Sequence, residues 1–396
     1  MKKTHLKSLF AATVAVVALV GSAHAGGFSR GNADTDILFE EGNVNLRMGA
    51  TFVSPSRKYS KNPVPGLVGT DYAESYVVPS AAAKFNITES VRCALTAVEN
   101  NGGKAHYVVP NRSGKTDEEF ETTEFGTTCG VKFQAGAGNF WVLGGAFAEK
   151  FDYDRRNDFS SLGLPSAELT LEGQEFGFRA GVAYEIPDIA LRAQLMYRSG
   201  TSYGAEGNLA APAGILCART GDPQLCGLPA NFKVNVPAVG VGELPESVEL
   251  KLQSGIAPGW LAFGSVKWAN WSVTESLDVS SASGIPISQD LYFWKDGWTV
   301  TGGVGHAFND RFSGVAALTW DSGVSTGYDL TSDTWTLSLG GSMKDTLGGE
   351  LRGGVGVSYL TSAAEDKYFS PTGQDLNQAV DDGWAFAFNV GYAVKW

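Results

Sequence analysis

Apolar and polar residues alternate along much of this chain, and the pattern is clearest over residues 383–396. One parity there carries only apolar or aromatic side chains: Trp384, Phe386, Phe388, Val390, Tyr392, Val394 and Trp396. The other parity carries small or polar residues, among them Asn389 and Lys395. Because successive side chains of a strand point to opposite faces, this stretch predicts a strand with one wholly apolar face. Aromatic residues at both ends of such a face are typical of a strand with lipid on one side and water on the other.

The same two-residue period predicts fourteen strands along the chain. Their approximate bounds are residues 43–53, 77–86, 90–99, 121–135, 139–152, 168–185, 189–204, 245–254, 260–274, 291–308, 311–321, 332–344, 349–361 and 383–396. Charged residues recur on the parity opposite the apolar one, as at Arg47, Arg179 and Arg352. Tight connections alternate with long ones, as in bacterial outer-membrane barrels. We therefore predict an all-β protein, a fourteen-stranded antiparallel transmembrane β-barrel.

The first residues predict a secretory signal rather than part of the fold. Residues 1–25 combine three lysines, an apolar run over residues 9–20 and a small-residue cleavage site at Ala23-His24-Ala25. The apolar run is too short for a membrane helix, which needs about 20 residues. We predict a mature chain from Gly26, with residues 26–42 as a short N-terminal segment and residues 43–396 as the barrel.

Charge excludes one class of partner. After removal of the signal, 27 lysines and arginines face 42 acidic residues, which gives a net charge of −15. So acidic a chain is unsuited to nucleic acid or another polyanion. We find no linker or change of composition and expect one closed unit in the bacterial outer membrane, in contact with its lipid and with the outer-membrane assembly machinery.

Several stretches of the second half carry a family resemblance. They are residues 244–250 (Leu-Pro-Glu-Ser-Val-Glu-Leu), 260–271, 295–298 (Lys-Asp-Gly-Trp), 310–321, 332–340 and 353–359. With these stretches the chain resembles the outer-membrane long-chain fatty acid transporters of the FadL/TodX type. The resemblance implies a barrel closed by an N-terminal hatch, passive passage of long-chain fatty acids or similar hydrophobic molecules, exit through a kink in the wall, and no cofactor or energy source.

The chain departs from that family in its hatch. Residues 26–42 are shorter than the usual hatch and lack its Asn-Pro-Ala motif. Phe28, Ile37, Leu38 and Phe39 are apolar enough to fill part of a lumen. The alternative is an ordinary periplasmic lead-in, since chain termini are often poorly ordered.

The long connection at residues 205–243 is unusually apolar for a loop. Its apolar residues include Leu209, Leu216, Leu225, Phe232, Val234 and Val236. Such a loop either binds hydrophobic molecules at the barrel mouth or packs on itself as a cap, and both readings stay open. We select Phe28, Leu216 and Phe232 as candidate ligand contacts.

A fatty acid also needs a partner for its carboxylate, and arginine suits it well. The resemblance implies an Arg beyond strand five and a Lys before strand ten, whose nearest matches are Arg155 or Arg156 and Lys295. The alternative is that these are solvated rim charges, balanced by Asp152, Asp154, Asp158 and Asp296.

Four cysteines in an exported chain predict two disulfides. We pair Cys217 with Cys226, which lie in one loop, and Cys93 with Cys129, which lie on neighbouring predicted strands. Their spacing fits no zinc site, so no metal is predicted. His106 and His306 have no Ser and Asp in a recognisable motif, so the chain is not predicted to be an enzyme.

Two other functions compete with hydrophobic uptake. A diffusion porin for polar solutes needs an open lumen, which typically takes 16 to 18 strands. A structural or adhesin barrel would bind a partner with its loops and conduct nothing. Single-channel conductance and saturable fatty acid binding distinguish the three.

Overall fold

The computed structural model describes residues 27–282, 284–346, 348–366 and 377–396. The predicted signal peptide lies outside these residues. Within them, no helix is both long enough and apolar enough to cross a bilayer.

Fourteen antiparallel strands form a closed ring, as the sequence predicts. They are β1 (Val44–Ser56), β2 (Tyr76–Asn86), β3 (Val91–His106), β4 (Lys115–Ala135), β5 (Gly138–Asn157), β6 (Ala167–Ile186), β7 (Leu191–Arg198), β8 (Ser247–Ala257), β9 (Trp260–Ala269), β10 (Gly297–Ala307), β11 (Phe312–Asp321), β12 (Thr334–Lys344), β13 (Gly349–Leu360) and β14 (Gly383–Lys395). Each pairs with the next, and β14 pairs with β1 from Trp384 opposite Ser56 to Lys395 opposite Asn45. The ring is therefore closed, with a neighbouring strand on each side of every strand, as a bilayer requires.

The two faces of the wall follow the predicted parity. Phe386 and Phe388 on β14 are 59% and 55% exposed on the outside of the ring, while Ala385, the residue before Phe386, is buried. Arg47 and Arg352, which lie on the opposite parity, are buried inside the ring. The outside is thus apolar and the lumen holds the charges, as a membrane-spanning barrel requires.

Four further strands lie mostly in stretches that were predicted as loops, and for those stretches the prediction was wrong. Thr201–Pro212, Lys233–Leu244, Ser276–Ser281 and Pro286–Leu291 pair in that order, and the first pairs with the outer end of β6. We call these four strands the lid. Pro237 lies within the second lid strand, and its presence concealed the strand because proline is rare inside sheets.

The lid begins at a common level of the wall. β7 ends at Arg198, β8 begins at Ser247, β9 ends at Ala269 and β10 begins at Gly297, and these four residues are paired side by side. The lid then crosses the outer mouth, since Asp290 on its last strand reaches Lys115 on β4 at 2.7 Å. The predicted strand over residues 189–204 is accordingly two strands with a break at residues 199–200.

Two short helices connect the first two lid strands, α1 (Ala213–Thr220) and α2 (Pro223–Cys226), and a disulfide joins Cys217 to Cys226 across them. A second disulfide joins Cys93 on β3 to Cys129 on β4. Both are in the predicted pairing.

The remaining elements are small. Tyr59–Lys61, Ala363–Ala364 and Ala379–Val380 form a separate three-stranded sheet. The 3₁₀ helices are Thr35–Phe39, Pro65–Leu67, Ser160–Leu162, Pro187–Ile189 and Trp271–Val273. Gly136 in the turn between β4 and β5 has a φ of 59°, which glycine adopts without strain.

Candidate ligand-binding site and route

The N-terminal segment, residues 27–42, lies inside the ring. Its 3₁₀ helix presents Ile37 and Leu38, both fully buried, to the inner face of the wall. The apolar cluster around them comprises Phe39, Ala82, Ala94, Trp141, Leu143 and Ala183. These residues fill part of the lumen, which is the first of the two alternatives that the sequence left open.

Basic side chains of the wall hold the lower part of this segment. Arg47 pairs with Asp34 at 2.6 Å and also with Glu40, and Arg352 lies 3.8 Å from Glu40. Lys84 on β2 donates to the backbone oxygens of Glu40 and Gly42 at 2.8 and 2.6 Å. The charges that recur on the inner parity therefore serve to bind this segment.

Asp36 pairs with two cations of the wall. Lys251 lies 3.2 Å from its Oδ2 and Arg192 lies 3.6 Å from its Oδ1. Burial alone would raise the pKa of Asp36, but Lys251 and Arg192 outweigh burial and lower that pKa to about 2. The carboxylate is therefore charged at every physiological pH.

The wall has a gap between β2 and β3. Their pairing stops at Ser80 opposite Val98. It resumes only before the first residue of β2, where Ala73 bridges Ala105. At the level of the gap β3 carries a β-bulge at Asn100, and three successive residues, Glu99, Asn100 and Asn101, are all buried. β3 thus bends into the lumen and leaves β2, which is how a bulge redirects a strand.

The upper part of the N-terminal segment pairs with this bulge. Arg30 N donates to Asn100 O at 2.9 Å, and Gly102 N donates to Phe28 O at 2.8 Å. The Arg30 guanidinium pairs with Glu99 and covers the Tyr76 ring, with 4.1 Å from its carbon to the centroid. Gly31 is required for this approach, because a Cβ there would lie 2.7 Å from the Glu99 carbonyl oxygen.

A cavity of about 230 Å³ lies between the N-terminal segment and the wall beside the gap. Its apolar lining includes Val53, Val78, Val98 and Phe263. Its polar lining includes Asn32, Thr51, Lys251, Lys267, Thr301 and Asn389. One side of the cavity therefore suits a hydrocarbon chain and the other suits a polar group.

A cluster of packed aromatic rings, which we call the aromatic chamber, lies above the segment and below the lid. The Phe28 ring is its centre, with ring centroids at 4.7 Å from Phe120, 5.3 Å from Tyr292 and 4.7 Å from Trp294. Trp271 completes the group at 6.2 Å. Phe28 is thus the contact between the chamber and the segment that borders the cavity.

Comparison with known proteins identifies the barrel. A family model described as outer membrane protein transport protein (OMPP1/FadL/TodX) matches residues 165–323. A solved FadL homologue of Pseudomonas aeruginosa has the same fold, with a TM-score of 0.73 and 15% identity over 96% of this chain and 97% of that one. Over residues 165–323 the chain is therefore similar to the OMPP1/FadL/TodX family. The closed barrel with its apolar outer face, together with these matches, indicates a multi-pass protein of the bacterial outer membrane.

Two other proteins are similar to this chain. The toluene transporter TodX of Pseudomonas putida has a TM-score of 0.63 and 14% identity, over 96% of this chain and 97% of that one. A long-chain fatty acid transport protein of Salmonella typhi is 24% identical over 155 residues, 37% of this chain. The matched stretch spans 33% of that relative's length. These two proteins are thus named for different cargoes, a fatty acid and an aromatic hydrocarbon.

The predicted carboxylate ligands do not converge in this barrel. Arg155 is buried under the lid, 3.0 Å from Asp290 Oδ2 and 2.9 Å from Ser288 Oγ. Arg156 and Lys295 are exposed. Arg155 is balanced by Asp290, not by any of the four aspartates that the sequence suggested.

Asp290 is itself held as an anion. Burial alone would raise the pKa of the Asp290 carboxyl, but Lys115 and Arg155 outweigh burial and hold that pKa below its ordinary value. The charge of Arg155 is therefore already neutralised from within the protein.

The predicted apolar contacts fall in two places. Leu216 on α1 is buried in the apolar cluster beneath the lid, and Phe28 packs against the same cluster. Phe232 is 55% exposed at the outer surface. Leu209 is buried in the same core as Leu216, so much of the apolar loop packs as a cap.

Sequence reasoning missed the chamber, the bulge and Lys267. The density of aromatic residues at 291–298 was a usable signal for the chamber. The bulge had none, because it depends on contact with residues 28–31 far away in the sequence.

Proposed function

We propose that this protein carries long-chain fatty acids or similar hydrophobic molecules passively across the outer membrane, through a barrel that its N-terminal segment closes as a short hatch. The observation that carries the proposal is the gap between β2 and β3, which opens beside a partly apolar cavity. The similar proteins from Salmonella typhi and Pseudomonas putida are named for fatty acid and toluene transport, which supports a hydrophobic cargo.

The route has three stages. A hydrophobic molecule enters beneath the lid and contacts the aromatic chamber around Phe28. It then passes residues 28–31 into the cavity, whose apolar side includes Val78 and Val98. Those two residues also flank the gap, so the molecule leaves sideways between β2 and β3 into lipid. Burial of an acyl chain, at about 0.8 kcal/mol per CH₂, supplies the driving force at each stage.

The hatch distinguishes this protein from a diffusion porin. Ile37 and Leu38 are fully buried against the wall, and Asp34, Asp36 and Glu40 are ion-paired to it. An aqueous path along the barrel axis would require all of these contacts to break. We therefore expect near-silent conductance together with saturable uptake of a hydrophobic substrate.

A bulky residue at the gap tests the route. Val78 is buried on the inner face and lines the cavity, while its neighbour Val77 is 49% exposed on the lipid face. Val78→Trp fills the cavity and is expected to lower the initial rate of radiolabelled oleate uptake about tenfold or more. Val77→Trp adds the same group outside the barrel and is the matched control.

Uptake is measured in cells that lack other fatty acid transporters, with surface amounts matched by immunoblot. Equal uptake by Val78→Trp and Val77→Trp would contradict the lateral route. Large steady current steps from the native protein in planar bilayers would instead favour the porin.

A further inference from the structure

A barrel that carries amphiphiles needs a binding site for the polar head group. This inference rests on the function proposed above: we propose that Lys267 forms that site. It would bind an anionic head group, a carboxylate, in the cavity beside the gap. The residue lies on the inner face of β9, within the wall and far from the rim where sequence reasoning expected the cation.

Lys267 has one polar partner among the described residues. Its ammonium donates to Asn32 Oδ1 at 2.8 Å, and no carboxylate of the described chain lies within 4.0 Å of it. Every other cation that lines the cavity is ion-paired: Arg30 with Glu99, Arg192 with Asp36, and Lys251 with Asp36 and Glu249. Lys267 therefore offers the charge that the protein itself leaves uncompensated.

The groups facing Lys267 from its neighbouring strands do not remove this excess. Glu249 is opposite on β8, but its carboxylate is directed to Lys251 at 3.6 Å. Thr299 is opposite on β10 and donates to Asp321 at 2.6 Å. Arg192 and Lys251, which line the same cavity, share the carboxylates of Asp36 and Glu249, whereas no described carboxylate lies within 4.0 Å of Lys267.

The surroundings of Lys267 suit an amphiphile better than a free ion. The same cavity is lined by Val53, Val78, Val98 and Phe263, and it opens toward the gap. A second, smaller cavity of about 60 Å³ on the other side of residues 31–33 is also lined by Lys267. A carboxylate on Lys267 would therefore leave its hydrocarbon chain against the valines at the exit.

The contrast with Arg155 sharpens the assignment. Arg155 already pairs with Asp290 on the lid, so a substrate carboxylate would have to displace the Asp290 carboxylate in order to bind there. At Lys267 it replaces only the amide oxygen of Asn32. Charge-assisted hydrogen bonds are stronger than those to neutral acceptors, so the exchange at Lys267 is favourable.

The test compares two ligands of equal chain length, oleate and oleyl alcohol, on purified full-length protein in nanodiscs. Lys267→Met is expected to weaken oleate binding about tenfold, the loss of one charge-assisted contact, and to leave oleyl alcohol binding unchanged. Lys267→Arg should retain most of the oleate affinity. Lys150→Met, at an exposed lysine on the outer face of β5, is the matched control.

Three outcomes overturn the assignment. If Lys267→Met binds oleate as tightly as the native protein, Lys267 does not bind the head group. If the variant loses affinity equally for oleate and oleyl alcohol, the role of Lys267 is structural only. An equal loss in Lys150→Met makes the effect one of overall charge. If the native protein binds neither ligand, the proposed function itself fails, which is a distinct result. Heat-modifiable migration on gels confirms that each variant is folded.

Discussion

The two halves of the N-terminal segment are attached to the same barrel in different ways. Residues 34–42 are bound by buried side-chain charges from widely separated strands: Arg47 on β1, Arg192 on β7, Lys251 on β8 and Arg352 on β13. Residues 28–31 are bound by backbone hydrogen bonds to a single bulged strand, by one ion pair and by the aromatic contacts of Phe28.

This difference indicates which half can move. Release of the lower half would break pairs on several sides of the ring at once, and each broken buried pair leaves a charge without compensation. Release of the upper half breaks local hydrogen bonds, each worth about 0.5–1.5 kcal/mol, and one ion pair. The upper half borders the cavity and the gap, so the half with fewer charged anchors is the one beside the gap.

Loss of a lower anchor should have the largest effect on stability. Arg47→Ala leaves Asp34 and Glu40 without this partner, and we expect the free energy of unfolding to fall by about 3 kcal/mol or more. Urea unfolding in detergent measures it. Arg112→Ala, at an exposed loop arginine, should change it by less than about 0.5 kcal/mol. A similar small change in both variants would show that the lower half is not anchored by charge.

Acidification should weaken the same anchor with a defined sign. The pKa of Asp36 is lowered in the folded protein to about 2 from an ordinary 3.8, so its stabilisation is complete above about pH 4 and disappears as pH falls through 2. A shift of that size is worth about 2 kcal/mol. Asp36→Asn should lower stability by that amount at pH 7 and flatten the pH dependence between 4 and 2.

Unfolding at pH 7, 4 and 2 measures both effects. Asp310→Asn, at an exposed residue of a short turn, is the control and should follow the native curve. An unchanged slope in Asp36→Asn would contradict the role of this carboxylate.

Replacement of the upper ion pair should have the smallest effect on stability and a clear effect on transport. Arg30→Met together with Glu99→Leu removes both charges of a buried pair, which is often neutral for stability. We expect a change within about 1 kcal/mol but an altered rate of oleate uptake, since the pair lies at the gap. Equal uptake by the double variant and the native protein would show that the upper half does not control the exit.

The sequence was informative wherever a local rule decides the structure. A bilayer requires alternation along each strand, so β14 could be predicted from its own residues, and Arg47 and Arg352 could be placed inside. The lid strand Lys233–Leu244 was missed because Pro237 contradicts the usual composition of a strand.

The site depends on contacts between distant parts of the chain. Asp290 neutralises Arg155 from 135 residues away, and the bulge at Asn100 pairs with Arg30 from 70 residues away. The parity of β9 places Lys267 inside the ring, but only the assembled lumen reveals that no carboxylate of the described residues lies within 4.0 Å of it.

The disulfide between Cys93 and Cys129 lies on β3 between the bulge and the short turn that precedes the strand. It fastens the lower part of β3 to β4, while the upper part of β3 has left β2. β2 and β3 also remain paired from Ser80 to Asn86, so the gap does not reach the periplasmic end of the wall. An opening of the wall at the gap would therefore leave the periplasmic end of the barrel closed.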